Sequence, residues 1–171
     1  MALIMISKND WYRLRVDTGK NRVHIKIIGR WNDVNDVPHY KEDWKKALCL
    51  TLRNFTVFVD ASEMKINPSA VKALLVETQR LIINAGVSRM AELVHDELTE
   101  LQLDAIARRT RFPKKNFYIK HEALLWLDEV GHHSAIDSRT VAGSLAGNIV
   151  NLFIREGREK RSRDFSCYEQ H

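Results

Sequence analysis

The stretch that decides the fold is FTVFVDASEMKINPSAVKALL, running from Phe55 to Leu75. Its first six residues, Phe55-Thr56-Val57-Phe58-Val59-Asp60, are nearly all apolar, short and rich in β-formers. That pattern suits a central strand covered on both faces, as parallel strands are. A short loop follows. Pro68 then opens a helix whose Val71, Leu74, Leu75, Thr78, Leu81 and Ile82 share one side, and Ala85-Gly86 stops it.

Toward the amino terminus, Trp11 to Val16 and Val23 to Ile27 alternate with period two around a loop holding Asp17, Gly19 and Asn21. They predict a β-hairpin with one face buried. Asp36-Val37-Pro38 opens a helix in which Tyr40, Trp44, Leu48 and Leu52 recur every fourth residue. Toward the carboxyl terminus, Arg89 to Val94 predicts another strand. A helix follows from about Asp96 to Arg111, with Leu98, Leu101, Ala105 and Ile106 as its inner face, and Pro113 forbids its continuation. Phe117-Tyr118-Ile119 reads as a last short strand and Glu122 to Glu129 as a last short helix.

The order β-β-α-β-α-β-α-β-α predicts an α/β fold. Its four- to five-stranded sheet is mostly parallel, with an antiparallel N-terminal hairpin at the edge and helices packed on it. Residues 1–130 form this domain, and 131–171 are an extension the fold does not need. Within the extension His132-His133-Ser134 reads as a connection, and 138–155 as an extra helix. Its stripe is Val141, Leu145, Ile149, Leu152 and Phe153, with Gly143 and Gly147 one turn apart. Close packing on another element, in the same chain or in a second copy, would offset the cost of those glycines. Past Gly157 the chain is polar and expected to fray.

Composition sets the outer limits. The chain has 171 residues, 44% of them hydrophobic, and only seven Gly and three Pro, which excludes a disordered or low-complexity chain. Its two cysteines, Cys49 and Cys167, cannot make a disulfide framework or a cysteine zinc site and suit a reducing compartment. Cys49 fits the first helix as a small core or boundary residue. There is no signal-peptide pattern and no run long enough to span a membrane, so the expected location is the cytoplasm.

The net charge of +5 is not carried by a segregated arm. Its one dense cluster is Arg108, Arg109, Arg111, Lys114 and Lys115, a candidate anion patch. No aromatic platform accompanies it, so nucleic acid is disfavoured as a partner. No nucleophile elbow, phosphate loop or metal-ligand spacing occurs, and no cofactor, metal or catalytic residue is expected. His95-Asp96-Glu97 is the most suggestive trio, but a helix start rich in acids explains it. His24 alternates away from Val23 and Ile25 and is expected to face solvent or a partner. Trp31 falls in a loop after Gly29-Arg30, as an exposed interface anchor or a residue folded over the hairpin.

Two segments resemble a known family. FTVFVDASEMKINPSAVKALL, and HEALLWLDEV at 121–130, are similar to the STAS domain, in its SpoIIAA-like branch of anti-sigma-factor antagonists, over roughly Trp11 to Glu129. The resemblance implies a non-catalytic regulatory module that binds another protein or itself. It also implies a phosphoacceptor serine in an Asp-Ser-Ser-Gly-Leu motif at the start of the second helix. With one residue deleted from the loop, Asn67-Pro68-Ser69-Ala70-Val71 falls on that motif and Ser69 takes the acceptor position. Asn67, Pro68 and Ala70 depart from it, and Asn67 as cap with Pro68 in the first turn is also an ordinary helix start. The expected docking surface comprises Asp60, Ser62, Asn67, Ser69 and Trp31. Self-association through 138–155 is one form of partner. A small molecule or lipid is the alternative occupant, and it requires an apolar cavity on the order of a few hundred Å³ opening near Asp60.

Overall fold

In the computed structural model, the described residues are 3–136, with side chains described to 129. The sheet begins earlier than the expected hairpin: Leu3–Lys8 forms a strand, β1. It is followed by β2 (Tyr12–Asp17), β3 (Arg22–Gly29), a 3-10 turn at Val34–Asp36 and α1 (Tyr40–Cys49). The chain continues as β4 (Thr56–Met64), α2 (Ser69–Ala85), β5 (Arg89–Leu93), α3 (Glu97–Thr110), β6 (Lys114–Phe117) and α4 (Lys120–Ile136). The sheet thus has six strands, in the order β1-β2-β3-β4-β5-β6. β1 and β2, and β2 and β3, pair antiparallel, and the remaining neighbours pair parallel. The sixth strand is LIMISK, whose apolar run counts as a strand only once β2 gives it a partner.

Because strand order never reverses, right-handed crossovers put α1, α2 and α3 on one face. Only α4, after the last strand, crosses to the other face, over β4, β5 and β6. The main core lies under α1–α3 and includes Leu14, Ile25, Trp44, Phe55, Val71 and Ile82. A smaller core under α4 joins Phe58, Ala91, Leu93, Phe117, Ala123 and Leu127. Tyr12 donates to Asp43 (2.8 Å) inside the main core, and burial together with that carboxylate raises its phenol to about 12. Gly86 ends α2 in the left-handed region (φ 91°), a conformation that costs glycine little.

Several boundaries differ from expectation for local physical reasons. α4 runs through His132-His133-Ser134 to Ile136, so that stretch is helix rather than connection. The segment 138–155 lies outside the described residues. β6 starts at Lys114 and ends at Phe117, leaving Tyr118 and Ile119 exposed. α3 is rotated relative to its expected inner face. Thr99, Gln102, Leu103, Ile106 and Ala107 are buried, whereas Leu98 (61%) and Leu101 (59%) are exposed. The turn is set by polar ties: Thr99 Oγ1 donates to the Met64 carbonyl (3.2 Å), and Gln102 Oε1 accepts from Asn67 N (2.8 Å). Cys49, expected as a core or boundary residue, is exposed at the end of α1.

Candidate functional site at the carboxyl ends of the strands

β3, β4 and β5 all point their carboxyl ends at one pole of the molecule, and the segments leaving them meet there. Arg30 follows β3, Lys65 and Ile66 follow β4, and Asp96, Leu98 and Thr99 follow β5; together they line a hollow of about 300 Å³. Ile66 is 43% exposed, so Ile66 and Leu98 supply two bare apolar side chains in this hollow, with the cations Arg30 and Lys65 beside them, and exposed Leu101 follows Leu98 three residues on along α3. Sequence periodicity assigned Leu98 and Leu101 to the interior. No local signal corrects this, because the buried face is set by Thr99 and Gln102 bonding to Met64 and Asn67, far away in the chain.

Two helices begin at this pole with opposite electrostatics. α3 is capped: Asp96 accepts from Thr99 N (2.8 Å) and Thr99 Oγ1 (2.8 Å), and Glu97 and Glu100 occupy its first turn. The Thr99 N–H is the main reason the Asp96 carboxyl lies below its ordinary range. The trio His95-Asp96-Glu97 is thereby accounted for as a helix start. α2 has no side-chain cap and no acid in its first turn. Its cap position is Pro68, and Ser69, the first helical residue, is exposed. Unpaired amides and the positive end of the helix dipole therefore surround the Ser69 hydroxyl, a setting that favours added negative charge.

The expected docking residues do not form one surface. Asn67 is 2% exposed; its Oδ1 accepts from Trp31 N (3.0 Å) instead of capping α2. Asn67 is held inside because it ties the β3 exit to α3, its N–H donating to Gln102 Oε1 (2.8 Å). The Asn67 and Gln102 amide nitrogens have no partner among the described residues. Trp31 is fully buried, with Nε1 donating to the Trp11 carbonyl (3.2 Å) and its ring 4.9 Å from Tyr40. It closes the hairpin end and is not a surface anchor. Asp60 and Ser62 lie within β4, which runs on to Met64 past a register shift opposite Lys26 and Ile28. Ser62 donates to Asp60 from both its N–H (3.2 Å) and its hydroxyl. By alternation with Phe58, Asp60 faces the α4 side, across the sheet from α2.

The basic cluster also separates. The Lys114 side chain is 9% exposed and bonds Glu92 (2.6 Å) and Asp104 (2.6 Å), while with Arg108 and Arg111 it still lines a hollow of about 460 Å³. Burial raises the Glu92 carboxyl, with Lys114 opposing it. Lys115 points to the other face, 5.2 Å from the Phe117 ring centroid. Arg108, Arg109 and Arg111 stay exposed at the carboxyl end of α3, where cations complement the dipole. His24 is half-buried against Phe58 (5.9 Å) rather than freely exposed. Burial, then the nearby Arg22 and Arg15, lower its imidazole to about 4.

The interior leaves little room for a ligand. Between the sheet and α1–α3 a cavity of about 40 Å³ is bounded by residues including Ile27, Trp44, Leu75, Gln79, Glu92 and Ile106. It is far smaller than a small-molecule site needs, and Asp60 does not line it. The strand order also lacks the reversal at which α/β sheets open a ligand crevice. Among the described residues there is no cluster of three metal-ligating side chains, and no helix is long and apolar enough to cross a membrane.

The architecture has a solved counterpart. The chain is similar to the crystal structure of an uncharacterized DUF3478-family protein with a SpoIIAA-like fold, from Shewanella loihica PV-4. The TM-score is 0.54 at 19% identity, over 71% of this chain and 97% of that one. This chain has a SpoIIAA-like fold. No family model matches it, and no curated protein does at a significant level. The SpoIIAA-like similarity shows the fold and assigns no activity.

Proposed function

We propose that this SpoIIAA-like domain is a non-catalytic regulatory module, acting in the cytoplasm, that docks another protein at the pole where α2 and α3 begin. The observation that carries this reading is the exposed pair Ile66 and Leu98 beside Arg30 and Lys65, with Leu101 exposed three residues on from Leu98, next to an uncapped α2. Apolar anchors ringed by charge are the usual make-up of a protein-binding surface. Ser69 is the natural switch within it. A phosphate there would add about −1.5 to −2 charges at the helix amino terminus, where it is stabilised, and would change what the surface can accept.

Photo-crosslinking in cells from position 98 tests the docking surface, with position 77 on α2 as control. A single defined protein captured from 98, absent from 77 and lost when Ile66→Glu is added, is the expected result. Equal capture from both positions would remove the proposal. For the switch, intact-mass measurement on protein from native cells should find a phosphoform that Ser69→Ala abolishes. A phosphoform that survives Ser69→Ala would place the modification elsewhere.

A further inference from the structure

At the amino ends of the parallel strands, opposite the docking pole, a second apolar patch is bare. The connection from α1 to β4 crosses this end, and there Leu52 is 75% exposed and Leu50 41%. Leu52 is not on a loose loop: its N–H donates to Asn21 Oδ1 (2.9 Å), and Asn21 Nδ2 donates to its carbonyl (3.1 Å). Cys49, exposed three residues earlier at the end of α1, is disulfide-bonded, and Cys167 is the chain's only other cysteine. The described chain departs from the same end. Asp128 of α4 accepts from Lys20 (3.0 Å) and Arg22 (2.7 Å), the two sequence neighbours of Asn21, and Arg89 at the start of β5 donates to the Trp126 carbonyl (3.0 Å). One three-residue stretch, Lys20 to Arg22, thus bridges α4 and Leu52.

We propose that the segment 138–167 of this chain folds back over this end, lays its apolar stripe on Leu50 and Leu52, and is latched there by a Cys49–Cys167 disulfide. The stripe is Val141, Leu145, Ile149, Leu152 and Phe153. As a helix, 138–155 spans about 27 Å, and 156–167 adds up to roughly 40 Å of extended chain, ample to bring Cys167 to Cys49. The chain's own segment is favoured over a second copy because it leaves α4 at this end and holds the cysteine that can pair with Cys49 in the same molecule. Two leucines are a small surface for a free partner, whereas a tethered segment faces them at an effective concentration of roughly millimolar. The latch closes by thiol–disulfide exchange. The Cys49 thiolate attacks a small-molecule disulfide such as oxidised glutathione, releasing one thiol, and the Cys167 thiolate displaces the second. Two protein thiols become one disulfide, and the small disulfide is reduced to two thiols. In a reducing compartment such bonds are transient and redox-sensing, so reduction frees the segment and bares Leu50 and Leu52. This inference is independent of the docking reading above.

The full chain, equilibrated in mixtures of reduced and oxidised glutathione, acid-quenched and alkylated, should give by intact mass a monomer lacking two hydrogens. Peptide mapping should join Cys49 to Cys167. The effective concentration of the two thiols, read from the glutathione ratio at half-oxidation, should fall at least about 10-fold in Leu52→Glu and in Leu145→Glu. Val34→Glu, an exposed site beyond the other end of β3, should leave it unchanged. Two alkylated cysteines across the whole oxidising range, a disulfide-linked dimer as the main product, or an effective concentration indifferent to both leucine substitutions would each overturn the proposal. Should the glutamate variants fail to fold, hydrogen exchange on the unaltered chain decides. The amides of 138–155 should exchange at least about 10-fold more slowly in the oxidised than in the reduced chain, and equal exchange would overturn it.

Discussion

The two halves of the sheet treat charge in opposite ways. The parallel half, β4 to β6, is covered on both faces, and its charges are locked inside: Glu92 and Lys114 are almost fully buried and bonded to each other. The antiparallel half, β1 to β3, is covered on one face only, except at Arg22, where β3 begins and the buried guanidinium bonds Asp128 of α4. There Arg13 and Arg15 make no ion pair among the described residues, and Leu3 and Met5 meet solvent. An antiparallel sheet tolerates a wet face and a parallel one seldom does, because its crossover helices must lie on it.

The sharpest way to break this contrast is Lys114→Ala. It leaves Glu92 buried without its cation and should cost about 3–5 kcal/mol in denaturant unfolding. A loss no larger than that of a surface lysine would mean the pair is not buried. Next in size is the phase of α3: Leu103→Ala should cost about 2–4 kcal/mol and Leu98→Ala less than about 0.5 kcal/mol. Comparable losses would return Leu98 to the core.

At the boundary between the halves, His24 provides a pH test. Its folded pKa of about 4 lies below the ordinary 6.5, so the unfolded chain binds the extra proton between those values. Stability should therefore be complete above about pH 6.5 and fall as pH drops toward 4. The fall should be up to about 2 kcal/mol, allowing for solvent screening of a half-buried ring. His24→Gln should flatten that part of the profile, and an unchanged profile would assign the dependence to other groups. The smallest effect is expected on the open half. Arg15→Ala should leave stability within about 0.5 kcal/mol. It should still raise the His24 midpoint in an NMR titration, because Arg15 is among the cations that depress it.

Much of the fold was legible from periodicity. The hairpin, the buried strand at Phe55 to Asp60 and the order of helices follow from patterns of two and 3.6 residues. β1 was missed because a short apolar run has no meaning as a strand until another strand pairs with it. The candidate site was less legible. Arg108 to Lys115 are neighbours in sequence, yet β6 sends Lys114 to one face and Lys115 to the other. Conversely, Ile66 and Leu98 gather at one pole from two separate segments. Asn67 and Trp31 have ordinary loop signatures, and only their contact with each other makes them interior residues.

By itself, then, the sequence determined the α/β alternation, the SpoIIAA-like resemblance and the exposed start of α2 at Ser69, all of which rest on local spacing. Tertiary structure alone decided which face of α3 is wet and which lysine is buried. Those outcomes depend on contacts between segments far apart in the chain, and hydrophobic burial, which is non-directional, does not specify them from local pattern.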